Sequence, residues 1–297
     1  MKKFISLLLL LVVSSPAAAK LNVFACEPEW ASLSQELGGD NITVFSATTG
    51  LQDPHYIQAR PSLIAKARQA DLLVCTGAEL EIGWLPLLQR KAGNTSIQVG
   101  ANGYFMATDY VSLSDIPASL DRSQGDVHAA GNPHIQTSPV KIMLVARALT
   151  QRLQQLDPDN AVAYQQRWLD FEQRWSTAID RWQQQAQPLK GMAIVVQHNN
   201  WTYLSEWLEL NKVAVLEAKA GIPPTIKDLN NVLNTLKVSP AKIVINAAYQ
   251  PSKATDWLSN KTDITKVTLP FTVGGNEQSK DLFSLFDNTL QRLLSAQ

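Results

Sequence analysis

The stretch between Pro158 and Pro188 constrains this chain more than any other part of it. Tyr164, Trp168, Phe171, Trp175, Ile179 and Trp182 recur every three or four positions, with polar side chains between them. That is the period of an α-helix with one apolar face. Proline suits the first turn of a helix and cannot continue one, so the two prolines bracket the element. A helix of about thirty residues extends roughly 45 Å, more than one small domain requires. The pattern therefore predicts a spine shared by two bodies, its aromatic stripe a packing surface and not a cofactor box.

Short apolar runs alternate with helical patterns on both sides of this element. Before it, strands are expected at residues 21–25, 42–46, 71–76 and 97–99, with helices at 29–37, 62–70, 80–91 and 139–156. After it, strands are expected at 192–197, 213–216, 243–246 and 266–269, with helices at 201–208, 225–236, 251–258 and 281–294. Such alternation implies parallel sheets joined by crossover helices. The expected fold class is α/β, with two lobes that each hold a central, mostly parallel sheet flanked by helices. The expected partition is 20–156 for the N-terminal lobe, 157–188 for the linking helix and 189–297 for the C-terminal lobe.

The first nineteen residues read as an export signal. Lys2 and Lys3 precede an apolar core from Ile5 to Val13, and Ala17-Ala18-Ala19 offers a small-residue cleavage site near Ala19. A soluble periplasmic protein is expected, without stable membrane insertion and monomeric. The whole chain carries 26 basic and 26 acidic side chains, and no basic block interleaved with aromatics, which argues against a nucleic-acid partner. Cys26 and Cys75 each follow an apolar strand-like run. In an oxidising compartment a bridge between them is favoured, if the two strands lie side by side. Buried free thiols and soft metal ligands are the alternatives.

Only four histidines occur, and three sit where a polar turn meets an apolar run. His55 lies in Asp53-Pro54-His55, His134 in Asn132-Pro133-His134, and His198 follows the run from Ala193 to Gln197. Ligands of open α/β sheets gather at the carboxyl ends of strands, where His198 falls. Any one of these histidines is more often structural than a ligand. Together they form a set of three neutral imidazoles with an open fourth position, which suits zinc. A periplasmic zinc hydrolase would use such a set too, but neither His-Glu-x-x-His nor Gly-x-Ser-x-Gly occurs.

The motifs taken in order carry a resemblance. Asp53-Pro54-His55, Arg60-Pro61-Ser62, Ala70-Asp71-Leu72 and Gly77-Ala78-Glu79-Leu80-Glu81 with Trp84-Leu85 are similar to the first half of the zinc/manganese solute-binding proteins of bacterial ABC uptake systems. Asn132-Pro133-His134 with Pro139 resembles that family's second histidine motif, and His198 with Trp201, Tyr203 and Leu204 its third. Leu216-Glu217-Ala218-Lys219 and Gly221-Ile222-Pro223-Pro224 look like the zinc branch. The resemblance implies two α/β lobes joined by one long helix. It also implies a metal held between them by His55, His134 and His198, and delivery to a membrane permease powered by a separate ATPase. Zinc is the expected cargo, manganese a less suitable one, and no catalytic residue is expected. A metal-chelate or haem receptor of similar architecture is the alternative within the binding class.

One departure from the family pattern stands out. Leu269 precedes Pro270 where many members of the family place an aspartate ligand. A water, Glu27, Asp53 or Glu217 would have to fill the fourth position. His128, with Asp121 and Asp126, belongs to a loop that is longer and histidine-rich in zinc-uptake relatives. A solvated role in capture or at a secondary site, outside the tight site, is expected for it. Glu79 and Glu81 are expected at a helix start, and Arg60 in an ion pair or in solvent. Asn199 and Asn200 are expected to orient a ligand or form a turn.

Overall fold

The computed structural model describes residues 20–119, 123 and 125–297. The export-signal reading of residues 1–19, with its cut near Ala19, and Asp121 lie outside the described residues. No helix among the described residues is long and apolar enough to cross a membrane.

Two four-stranded parallel sheets carry the fold. In the first half, β1 (Leu21–Ala25), β2 (Ile42–Ser46), β3 (Leu72–Cys75) and β4 (Tyr104–Met106) stand in the order β2-β1-β3-β4. In the second, β5 (Ala193–Val196), β6 (Asn211–Val215), β7 (Ile243–Ala247) and β8 (Thr265–Leu269) stand in the order β6-β5-β7-β8. The two orders are the same when counted from the first strand of each half. Central strands are buried on both faces, which explains their apolar runs, such as Leu72–Cys75 and residues 243–245.

Helices α1 (Pro28–Gly38), α2 (Pro61–Arg68), α3 (Leu85–Ala92) and α4 (Pro139–Leu156) belong to the first half. Each carries proline in its first turn, where the missing N–H costs nothing. The linking helix α5 spans Ala161–Gln185, flanked by short 3-10 turns at Pro158–Asn160 and Gln187–Leu189. Helices α6 (Thr202–Leu208), α7 (Ile226–Val238), α8 (Lys253–Lys261) and α9 (Leu282–Leu294) complete the second half. Capping boxes fix the starts of α7 (Thr225 with Asp228) and α9 (Asp281 with Ser284).

Helix α5 packs against α1 and α4 on one flank and α9 on the other, so it touches both halves. Tyr164, Trp168, Phe171, Trp175 and Trp182 are buried along it, whereas Ile179 is only partly covered and Ala178 takes the inward position. Trp175 stands edge-on to Trp182 at 5.2 Å and to Phe283 of α9 at 4.8 Å. One apolar core runs from Val23 and Val74 through these rings to Ile245 and Leu290.

Two expectations fail in the first half. The helix expected over 80–91 begins only at Leu85, because Gly77, Ala78 and Glu79 all take positive φ and coil residues 77–84 into turns. Glu79 and Glu81 thus sit in that turn region and not at a helix start. No strand forms at 97–99, where a 3-10 turn (Thr95–Ile97) precedes the actual edge strand β4. The expected pairing of the thiols holds: β1 and β3 are neighbours, Cys26 N–H donates to the Val74 carbonyl (2.8 Å), and Cys26 and Cys75 form a disulfide with Cα atoms 4.8 Å apart.

Candidate metal centre

The two Asx-Pro-His sequences fold into the same turn. Asp53 Oδ1 accepts the His55 backbone N–H at 3.0 Å, and Asn132 Oδ1 accepts that of His134 at 3.1 Å. Beyond the turn the two side chains diverge. Asp53 Oδ1 also lies 2.7 Å from His55 Nδ1, which places the proton there and leaves Nε2 a free lone pair. Burial raises the Asp53 carboxyl, but its bonds to His55 outweigh that and hold it below the usual range. Asn132 instead sends its amide across to the second half, donating to the Asn199 carbonyl (2.8 Å) and Thr202 Oγ1 (3.2 Å), and also to Asp115 Oδ2 of its own half (3.1 Å). Tyr203 Oη donates to the Asn132 carbonyl at 2.6 Å, closing the seam.

His198 stands at the carboxyl end of β5. Pairing with the neighbouring strand continues one residue further, as Glu217 N–H donates to the Gln197 carbonyl at 2.9 Å. That brings Glu217 Oε2 to 2.8 Å from His198 Nδ1, and Gly221 N–H donates to the same oxygen at 3.1 Å. The carboxylate orients the ring and again leaves Nε2 for the cleft. Asn199 is tied to Lys212 and Asp115, and Asn200 to Tyr249, so neither bonds the His198 ring.

All four histidines gather at the junction of the halves. His55, His128 and His134 each offer a nitrogen within 4.8 Å of the others. The ring of His198 lies edge-on to that of His134, their centroids 6.0 Å apart, and is outside the tighter group. His134 is 2% exposed, and its Nδ1 is buried without a hydrogen-bond partner. The expectation of a solvated His128 is overturned. Its Nε2 lies 3.3 Å from His55 Nε2, because residues 125–126 are fastened to Ala220 of the second half.

The oxygen candidates for a fourth position are committed elsewhere. Asp53 and Glu217 stand behind the rings of His55 and His198. Glu27 accepts from the Thr76 N–H and hydroxyl and lies against Glu81. Leu269 is fully buried in the core, and the Phe271 ring covers His134 at 5.3 Å. Arg60 is exposed. Of the residues that build this junction, Asp115 and Phe271 carry no signal in the sequence that marks them.

Electrostatically, two of the rings are held neutral. Burial, and then the neighbouring imidazoles, hold His134 well below the ordinary histidine range, and burial with His55 pushes His128 down to about 4. Protons are therefore poor occupants, while a divalent cation meets several lone pairs at once. A cavity of about 150 Å³ opens between His128, His134 and His198, below the roughly 300–1,000 Å³ of small-molecule pockets. It has room for an ion. Of the nearby carboxylates, Asp53 and Glu217 are bonded to rings, Asp126 accepts from Tyr56, and Asp115 from Asn132, Asn199 and Thr202.

Paired parallel sheets on one helical shaft, with imidazoles converging where they meet, suit a protein that encloses a metal ion, and comparison with known proteins gives the class: a substrate-binding protein of a metal ABC transporter, not an enzyme. The family model described as zinc-uptake complex component A, periplasmic (ZnuA), matches residues 23–296, and the chain belongs to that family. Among curated relatives, the metal ABC transporter substrate-binding lipoprotein SsaB of Streptococcus sanguinis is 24% identical, over 99% of this chain and 98% of that protein. The manganese ABC transporter substrate-binding lipoprotein PsaA of Streptococcus pneumoniae is 24% identical, over 94% of this chain and 90% of its own. A crystal structure of ZnuA has the same fold, with a TM-score of 0.75 at 21% identity, covering 93% of this chain and 99% of that one. The Mn-bound periplasmic metal-binding protein of Candidatus Liberibacter asiaticus gives a TM-score of 0.75 at 16% identity, covering 93% and 99%. Proteins of this class are exported and work with a membrane permease and an ATPase.

Proposed function

We propose that the chain is a high-affinity zinc receptor of the periplasm, which holds Zn²⁺ between its lobes through His55, His134 and His198 and hands it to the permease of an ABC importer. The observation that carries this reading is the convergence of imidazoles from both halves, two of them oriented by carboxylates bonded to Nδ1. Relatives named for manganese make that ion the competitor. Nitrogen donors favour zinc, whereas manganese prefers harder oxygen ligands, and Leu269 removes the expected carboxylate. Lobes at 20–156 and 189–297, joined through 157–188, are part of the same proposal, as are a cleaved leader ending near Ala19 and a monomeric state.

The test is elemental analysis of protein purified without chelator, followed by titration of the stripped form with zinc and manganese. One equivalent of zinc, bound far more tightly than manganese and lost in His134→Ala, is the expected result. Preferential retention of manganese or iron would refute the assignment.

A further inference from the structure

His128 faces the cleft from a segment that crosses between the halves. A tetrahedral zinc with Zn–N bonds of about 2.0–2.1 Å sets its ligand nitrogens roughly 3.4 Å apart. His55 Nε2 and His128 Nε2 already stand 3.3 Å apart, and His134 completes a group within 4.8 Å. Nε2 is the His128 nitrogen that faces His55 across the cleft.

The surrounding backbone is shaped to hold this ring. Ala78 and Glu79 both adopt left-handed conformations (φ 48° and 67°), which side chains with a Cβ rarely take without compensation. The turn they form presents Glu79 Oε2 to the Ala129 N–H at 3.3 Å. On the other side, Asp126 N–H donates to the Ala220 carbonyl at 2.9 Å, and Tyr56 Oη donates to Asp126 Oδ2 at 2.7 Å. The segment passes Ala220 only because both crossing points are glycine. A Cβ on Gly125 would lie 2.0 Å from the Ala220 carbonyl oxygen, and one on Gly221 would lie 2.1 Å from Asp126 Oδ2.

Resting on the receptor reading above, we propose that His128 is a further nitrogen ligand to the bound zinc and that residues 125–129 are a latch, which the ion fastens across the two halves. The latch supplies from the first half the donor that Leu269 fails to supply from the second. It also biases the site against manganese, since a nitrogen stands where a carboxylate would favour the harder ion.

The test compares stripped wild type, His128→Ala and Gly125→Ala by zinc competition against a chromophoric chelator, and by the visible spectrum of the Co²⁺ form. His128→Ala should weaken zinc on the order of 100-fold, at or above the roughly 10- to 100-fold loss that outer partners give. Its cobalt bands should shift and weaken as water replaces a nitrogen, and its preference for zinc over manganese should narrow. Gly125→Ala keeps every ring but blocks the crossing, and should reproduce part of the loss. If His128→Ala lowers the melting temperature of the stripped protein, His128→Gln takes its place in the comparison. Unchanged zinc affinity and cobalt spectrum in the His128 variant, with wild type binding one zinc, would overturn the latch alone. Failure of wild type to bind zinc would instead sink the receptor reading.

Discussion

Asp53 does two things at once, and asparagine separates them. Its Oδ1 closes the turn by accepting the His55 N–H at 3.0 Å and also holds His55 Nδ1 at 2.7 Å. Asn132 closes the equivalent turn with an amide oxygen, so Asp53→Asn should keep the backbone and remove only the charge behind the ring. The magnitude follows from distance. Adding the ring and a Zn–N bond to the 2.7 Å contact puts the carboxylate roughly 6–7 Å from a divalent ion, worth about 5 kcal/mol at an effective dielectric of ~20 and about 1 in water. The Asp53 side chain is 36% exposed, which favours the lower end, near 1.4 kcal/mol or about tenfold in affinity. Asp53→Ala loses the turn as well and should cost closer to 100-fold. Competition with a chelator of known affinity at fixed pH measures both, and the zinc-induced rise in melting temperature should shrink in the same order. An Asp53→Asn protein within twofold of wild type would refute the claim that the carboxylate tunes His55.

Two further outcomes are expected. Burial lifts the Glu29 carboxyl to about 7 against the pull of its Thr272 bond, and a raised pKa means stability is full at low pH and lost as pH climbs through that value. The stability of stripped wild type relative to Glu29→Gln should therefore decline between about pH 4.5 and 7, by on the order of 2 kcal/mol; an identical pH profile for the two proteins would contradict it. The Cys26–Cys75 bridge closes a loop with a sequence separation of 49, so the double serine variant should lose about 4 kcal/mol in a denaturant titration. Zinc stoichiometry should survive, since the bridge ties β1 to β3 and touches no histidine.

The fold was legible because its signals are local. Six of the eight strands follow apolar runs whose limits shift by no more than a residue, and α4 begins at the expected Pro139. The failure at 77–84 depends on a backbone conformation selected by a distant partner: Ala78 and Glu79 accept left-handed φ, and Glu79 holds the Ala129 N–H, a contact no window of sequence contains. The site was legible where chemistry repeats, as in the two Asx-Pro-His turns. It was illegible where a residue works across the halves. Asp115 gathers Asn132, Asn199 and Thr202 around one oxygen, yet nothing near it in the chain marks it. The inward placement of His128 is illegible for the same reason, since only the crossing at Ala220 brings it toward His55.

The shared helical shaft limits how cargo can leave. A permease that tried to prise the halves open like a clamshell would have to tear Trp175 and Trp182 from the rings of α9, exposing large aromatic surfaces to water. Discharge must instead be unlaced at the rim, one turn or one side chain at a time. Thermal noise alone will seldom do that, and a membrane partner need only push where the lacing is thin.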